Sequence, residues 1–249
     1  MRARTIAIAC IVFVIACALC SILAFAQPGG PDSISRGPSE RMPSQSGIDV
    51  QAQAGNVTSL SIIATQVTKR WQGFYGNVSG NLSLSDSQGS AMYHWTMAAA
   101  QGEIYAVNSS VAPIWTQVRC FNFSADTNQN ITLAELEGSL GIGQNDVDRV
   151  NETFNLSFTN TFQVGSLTIN AASGCKSVSL HVNDAYSGVH YNETILHDNT
   201  SSESVIYATI LENDQQSFKG SETADFQLIV GENGDTVAPT SYYFYVELS

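Results

Sequence analysis

What this chain can fold into is limited first by its apolar runs. From Ile48 to the C-terminus they are short, rich in β-branched residues and separated by Gly, Asn, Asp and Ser. Residues 60–67 are β-rich, and Asn81–Ser85 and residues 91–97 flank Asp86-Ser87-Gln88-Gly89 and read as a hairpin. Strand side chains alternate, so Tyr93, Trp95 and Met97 share one face and Met92, His94 and Thr96 the other. Further strand-like runs lie at Gly102–Val107, 156–158, 167–170, 178–182, 205–211, 226–230 and 242–248, of which Val178-Leu180-Val182 and Phe226-Leu228-Val230 alternate cleanly. Helical spacing appears in one region only. Leu133, Leu136 and Leu140 carry it over 132–140, and residues 146–153 suit a second short helix capped by Asn145. Many short strands with one helical excursion predict a mainly β fold: a β-sandwich, Ig-like or larger, with a short helical insertion.

The first residues set the expected compartment. Met1-Arg2-Ala3-Arg4 is basic, Ile6 to Phe25 is apolar and uncharged, and Ala24-Phe25-Ala26 precedes Gln27, which is the anatomy of a secretory signal cut after Ala26. The apolar stretch approaches the ~20 residues that span a bilayer, so a retained N-terminal anchor is the alternative. With Arg2 and Arg4 on the cytoplasmic side, either reading exports the rest. Cys20, after Cys17-Ala18-Leu19, makes a poor lipoprotein box. The basic start and apolar helix are also similar to archaeal pilins, although Arg4 sits badly in their processing site and Pro28 follows the helix early, so a pilin-like filament subunit is a further alternative. Residues 27–46 hold four of the six prolines and read as a flexible stalk, leaving 47–249 as one β-rich extracellular domain.

Loss of residues 1–26 leaves eight Lys and Arg against 22 Asp and Glu, a net charge of −14. Such a surface repels nucleic acid and anionic lipid, so contact with a membrane is expected only through the N-terminal segment. Of the five cysteines, Cys10, Cys17 and Cys20 lie in the apolar segment, and the exported part keeps Cys120 and Cys175. An even pair in an oxidising compartment reads as one disulfide, contributing roughly 4 kcal/mol by loop closure, against two buried free thiols as the alternative.

Ten Asn-x-Ser/Thr acceptors occur, at Asn56, Asn77, Asn81, Asn108, Asn122, Asn130, Asn151, Asn155, Asn192 and Asn199. A chain rich in Asn and Ser makes some of these by chance, but strand parity argues for use. In Asn81-Leu82-Ser83-Leu84-Ser85 the asparagine shares its face with the serines, and Asn155-Leu156-Ser157-Phe158 repeats the arrangement.

Asp126, Asn128, Asn130, the Thr132 carbonyl and Glu137 occupy positions 1, 3, 5, 7 and 12 of a calcium loop, oxygen ligands at the spacing that ion needs. Ile131 stands where that loop wants glycine and Asn130 is also a sugar acceptor, so the competing reading is an Asx-rich turn into a helix with a Thr132/Glu135 capping box. Otherwise no cofactor is expected. His181, His190 and His197 match no compact zinc spacing, and His94 and His181 fall on polar faces. No Gly-x-Ser-x-Gly elbow exists, Glu137 standing two before Ser139, and there is no phosphate loop. Asp146 and Asp148 read as solvated acids before they read as a glycosidase pair. The ring clusters Trp71-Gln72-Gly73-Phe74-Tyr75 and Tyr242-Tyr243-Phe244-Tyr245 suit a sheet buried on both faces, the second as a central strand, with sugar stacking as the functional alternative.

Trp71-Gln72-Gly73-Phe74-Tyr75-Gly76-Asn77-Val78-Ser79-Gly80, the 126–137 stretch and Tyr242-Tyr243-Phe244-Tyr245-Val246-Glu247-Leu248 together resemble a family of exported archaeal cell-surface glycoproteins. The resemblance covers most of the chain after the stalk and implies a location rather than a catalytic role. The expectation is a non-enzymatic envelope protein of the cell surface, acting in structure, assembly or adhesion. Copies of itself, other envelope proteins and glycans are its candidate partners. A secreted carbohydrate-binding module or carbohydrate-active enzyme is the rival.

Overall fold

A computed structural model describes residues 27–124, 129–200, 205–235 and 237–249. Residues 1–26, on which the signal or anchor reading falls, lie outside them. No helix among the described residues is long and apolar enough to cross a membrane. In chain order the strands are β1 (Trp71–Gly76), β2 (Asn81–Ser85), β3 (Ala91–Thr96), β4 (Gly102–Val107), β5 (Val118–Cys120), β6 (Leu156–Ser157), β7 (Phe162–Val164), β8 (Leu167–Ile169) and β9 (Lys176–Ser179). They continue with β10 (His181–Val182), β11 (Ala185–Tyr186), β12 (Asn192–Asp198), β13 (Val205–Ile210), β14 (Gln215–Gln216), β15 (Thr223–Ala224), β16 (Phe226–Gly231) and β17 (Tyr243–Leu248).

The fold is mainly β and sandwich-like with a short helical part, as the run lengths predict. Its centre is a seven-stranded sheet in the order β17-β4-β13-β12-β9-β6, with β5 pairing on β12 beyond the end of β9. All of these pairings are antiparallel. Alternation along β4 and β13 sends side chains into two cores. Ile104, Ala106, Val205 and Tyr207 face a core completed by β16 (Leu228, Val230) and by the helical residues Leu136, Leu140, Val150 and Phe154. Tyr105, Val107, Ile206 and Ala208 face a second core closed by Trp115 and by Phe162, Val164 and Ile169 of the β7–β8 hairpin. Every residue of β4 is buried because both of its faces are covered and both of its edges are paired.

The two sheets on the first core are also joined by a polar contact: a Glu193 carboxylate oxygen on β12 accepts the Ile229 N–H of β16 at 2.8 Å. The disulfide joins Cys120 to Cys175, with Cα atoms 4.9 Å apart across a sequence separation of 55. It spans the helical insertion and ties β5 to the entry of β9, the two strands that share one edge of β12. The insertion itself holds Leu133–Ser139, capped by a Thr132/Glu135 capping box, and the single turn Val150–Thr153.

Four expectations are corrected. Residues 60–67 form no strand: despite their β-branched composition they have no neighbour to pair with among the described residues and lie exposed. The C-terminal run is an edge strand, since β17 pairs with β4 alone apart from a bridge to Gly29, although Phe244 and Tyr245 do reach opposite cores. The second helix is shorter than 146–153 and its N-cap is Arg149, because Asp146 instead accepts the Gly143 N–H at 2.7 Å and holds a turn. The 178–182 run is divided at Leu180: its N–H still meets the Tyr191 carbonyl in register with β12, but Tyr191 has a φ of +50° and the chain beyond turns to pair β10 with β11. At the start of the expected stalk, Pro28 is buried and Gly29 exchanges two 2.9 Å hydrogen bonds with Val246, whereas residues 30–69 have no regular structure.

Candidate functional site

The ten acceptors are distributed over the surface. Asn56, Asn77, Asn81, Asn130, Asn155 and Asn199 are exposed, Asn108, Asn122, Asn151 and Asn192 are half-buried, and none of the ten is buried. The hairpin parity holds: Leu82 faces Trp95 and Leu84 faces Tyr93 across the β2–β3 pair, while Asn81, Ser83 and Ser85 take the opposite side. The hairpin forms because Asp86 Oδ1 accepts the N–H groups of Gln88 and Ser90, and Gly89 adopts a φ of +84° that a side chain would oppose. Asn155 and Asn192 each donate one amide N–H to a nearby carbonyl, Glu152 and Val189. An N-linked sugar leaves one N–H on the amide nitrogen, so those bonds and a glycan are compatible.

Of the candidate calcium ligands, Asp126 and Asn128 lie outside the described residues. Asn130 is exposed and donates its amide to the Asn199 carbonyl. The Thr132 hydroxyl accepts the Glu135 N–H, and the Glu135 carboxylate accepts from Thr132 in return, which holds Glu135 below the usual carboxyl range. Glu137 is buried and committed elsewhere, receiving Arg149 at 3.1 Å and the Val150 N–H at 3.1 Å. Among the described residues no three His, Cys, Asp or Glu side chains converge as metal ligands.

The histidines are dispersed. His94 and His181 are exposed, while His197 is buried against Phe121, and burial lowers its pKa. His190 and His197 lie near opposite ends of β12, roughly 20 Å apart at a strand rise of about 3.3 Å per residue, too far to share an ion. His190 Nδ1 meets Glu212 at 2.5 Å, and the other Glu212 oxygen accepts the N–H of Tyr191, whose φ is +50°. This pair fixes a tight loop. Asp146 and Asp148 are also engaged, the first by Gly143 and the second by the Thr68 hydroxyl.

Sequence reasoning passed over an acidic pair. Glu103 on β4 and Glu247 on β17 stand directly opposite each other, both buried, with Glu247 accepting the Gly165 N–H at 3.0 Å and the Tyr105 hydroxyl at 3.3 Å. Burial, and then the facing Glu247 carboxylate, push Glu103 up to about 8. A signal was present: Glu103 has the strand parity of Tyr105 and Val107, and Glu247 that of Tyr245.

The rings divide as their packing dictates. Trp71 packs on Phe154 and Tyr207 and donates its indole N–H to the Asp148 carbonyl at 2.8 Å. Phe74 meets Phe244 edge-on at 5.3 Å between centroids. Tyr75 faces outward, stacked edge-on against Phe218 at 5.1 Å, with the Lys219 ammonium 5.5 Å above its ring and its hydroxyl directed at Glu222. Beside the disulfide lies a pocket of about 400 Å³ lined by Phe121, Asn122, Phe123 and Lys176. On the hairpin, Leu82, Leu84, Tyr93 and Trp95 form one exposed apolar face.

Compared with protein-family models, with curated proteins and with solved structures, the chain matches none.

Proposed function

We propose that this chain is a non-enzymatic, N-glycosylated protein of the cell exterior that works in surface structure, assembly or adhesion, anchored or released according to whether its N-terminal apolar segment is retained. The observation that carries this reading is the surface placement of the acceptors: ten triplets scattered through a folded chain, and not one of them buried. The disulfide, which needs an oxidising compartment to persist, supports it independently.

Sugar serves a physical purpose here. Only 13% of residues are charged, and the imbalance of sign makes copies repel without hydrating much of the surface. Glycans hydrate it without adding charge. A second reading, recognition of glycans by the protein, has one supporting observation: the outward Tyr75 and Phe218 rings, with Lys219 and Glu222 beside them, offer stacking and hydrogen bonding together.

The test is intact mass measurement with glycopeptide mapping on native protein from cell envelopes and culture fluid. Sugar on the exposed acceptors and a closed Cys120–Cys175 bridge are expected. Native protein in the cytosol with bare asparagines and free thiols would overturn the proposal. For the second reading, Tyr75→Ala should abolish retention on a glycan array if the ring platform binds sugar.

A further inference from the structure

Several stretches of the chain are almost free of charge, residues 153–175 among them, and two of these leave strand pairing unsatisfied. Residues 50–68 carry no Asp, Glu, Lys or Arg, and residues 76–102 carry Asp86 alone, in a protein whose overall balance is −12. Residues 57–67, Val-Thr-Ser-Leu-Ser-Ile-Ile-Ala-Thr-Gln-Val, combine high strand propensity with the absence of Pro and Gly, yet they form no strand, and their backbone makes no hydrogen bond among the described residues. Ile62 is 80% exposed and Ile63 96%. Among the described residues the β2–β3 hairpin joins no larger sheet and leaves both outer edges unpaired. Its Trp95 is 49% exposed, opposite Leu82 and edge-on to the Tyr93 ring at 5.0 Å.

Neither element is satisfied as it stands. An isolated two-stranded hairpin is marginal in water, and a third strand brings it to the size that holds. We propose that residues 57–67 of one copy add as a strand to the free edge of β3 in a second copy. The strand brings main-chain hydrogen bonds to an edge that lacks them, and its Leu and Ile side chains extend the Leu82, Leu84, Tyr93 and Trp95 face.

The occupant is a second copy because one chain carries both the unpaired strand-forming segment and the unpaired edge, and charge does not oppose their contact. Copies of an acidic chain repel one another over most of their surface and can approach where neither carries charge, whereas a basic partner would settle on the acidic surface instead. Sugar selects the edge: β2 begins at the acceptor Asn81 and follows Asn77, while β3 carries none. Donor and acceptor are different surfaces of the same chain, so the contact is head-to-tail and propagates into a ring or filament. This inference rests on the assembly reading above and names its interface.

Sedimentation of the full, exported, glycosylated chain between about 1 and 100 µM tests it, with Trp95 emission followed alongside. Association that grows with concentration is expected. Ser61→Pro removes a ladder donor from a segment that is unpaired in the monomer, so it should leave the melting temperature unchanged and raise the dissociation constant at least about tenfold. Ile62→Lys should do the same by charge. A synthetic peptide of residues 56–68 should bind the Ser61→Pro chain and shift Trp95 emission to the blue, with no shift in Trp95→Phe. The proposal is overturned by a chain that stays monomeric at 100 µM, by undiminished association of Ser61→Pro, by a peptide that leaves Trp95 unchanged, or by exchange-protected amides over 57–67 in the monomer. A secreted, glycosylated chain that fails these tests removes the strand addition alone. Bare asparagines and free thiols in native material remove the surface reading beneath it.

Discussion

Replacing Glu103 by Gln should make the protein more stable above neutral pH and hardly change it near pH 5. In the unfolded chain Glu103 titrates near 4.5; in the fold, burial and then Glu247 push it up to about 8. Glu247 is raised as well, by burial, although the Gly165 N–H and the Tyr105 hydroxyl pull it back. Between pH 4.5 and 8 the unfolded chain releases a proton that the folded chain retains, so stability falls as pH rises across that window and is level below it. Each pH decade costs at most about 1.4 kcal/mol, and the whole window at most about 5 kcal/mol. The gain from one substitution falls below that ceiling, at about 2–3 kcal/mol, because the amide that replaces the carboxyl is itself buried away from water. Gln preserves the shape, cannot ionise, and can donate an N–H to Glu247. Urea and thermal unfolding with the disulfide intact, at pH 5, 6.5 and 8, should place Glu103→Gln about 5–10 °C above the parent at pH 8 and within about 2 °C at pH 5. An equal change at both pH values, of either sign, would refute a proton held between these strands.

Opening the Cys120–Cys175 bridge by paired Ser substitution should cost about 4 kcal/mol of the urea unfolding free energy, and reductant should lower the parent's midpoint to match while leaving the double variant unmoved. Glu193→Ala removes the acceptor of the Ile229 N–H and leaves a cavity between the two sheets. A loss of about 2–4 kcal/mol is expected by chemical denaturation, with hydrogen exchange at Ile229 accelerated beyond that of Leu228.

Strands whose pairing is local were legible in the sequence. The β2–β3 hairpin announces itself because its turn carries the whole instruction, an Asx residue and a left-handed glycine between two alternating runs. β12, at the heart of the sheet, was hidden. Its residues Asn-Glu-Thr-Ile-Leu-His-Asp look like a polar loop, yet Glu193, Thr194, His197 and Asp198 are all buried. Some of their partners come from distant chain: Thr194 donates to the Lys176 carbonyl, and Asp198 accepts the Ile114 N–H on one oxygen while Thr200 bonds the other. No local pattern contains the distant partners, so periodicity cannot distinguish such a strand from a solvated turn. Residues 60–67 err in the opposite direction. Their composition is right for a strand, but a strand exists only beside a neighbour, and here the chain supplies none. β17 was misplaced for a related reason, since rings on both faces specify two covered faces and say nothing about how many edges are paired. The disulfide needed no fold, only the subtraction of three cysteines from five.

Acidity, sugar and the two stretches that leave strand pairing unsatisfied act on the same surface. A net charge of −12 keeps copies apart, and ten surface acceptors, if occupied, shield much of what charge leaves bare. Asn77 and Asn81 flank the first strand of the hairpin, and Asn81 points away from the side that holds Leu82, Leu84, Tyr93 and Trp95. Sugar on those residues would cover the polar face and the β2 flank and leave the apolar face and the β3 edge open. Asn56 in turn stands immediately before the unpaired 57–67 segment, where a glycan, if attached, would oppose chance pairing along the preceding chain. An exposed strand-forming segment is an aggregation hazard in any monomer, and charged side chains are the usual guard. Here that guard is missing both on the unpaired 57–67 segment and along the edge of β3, the two surfaces the proposed strand addition would join.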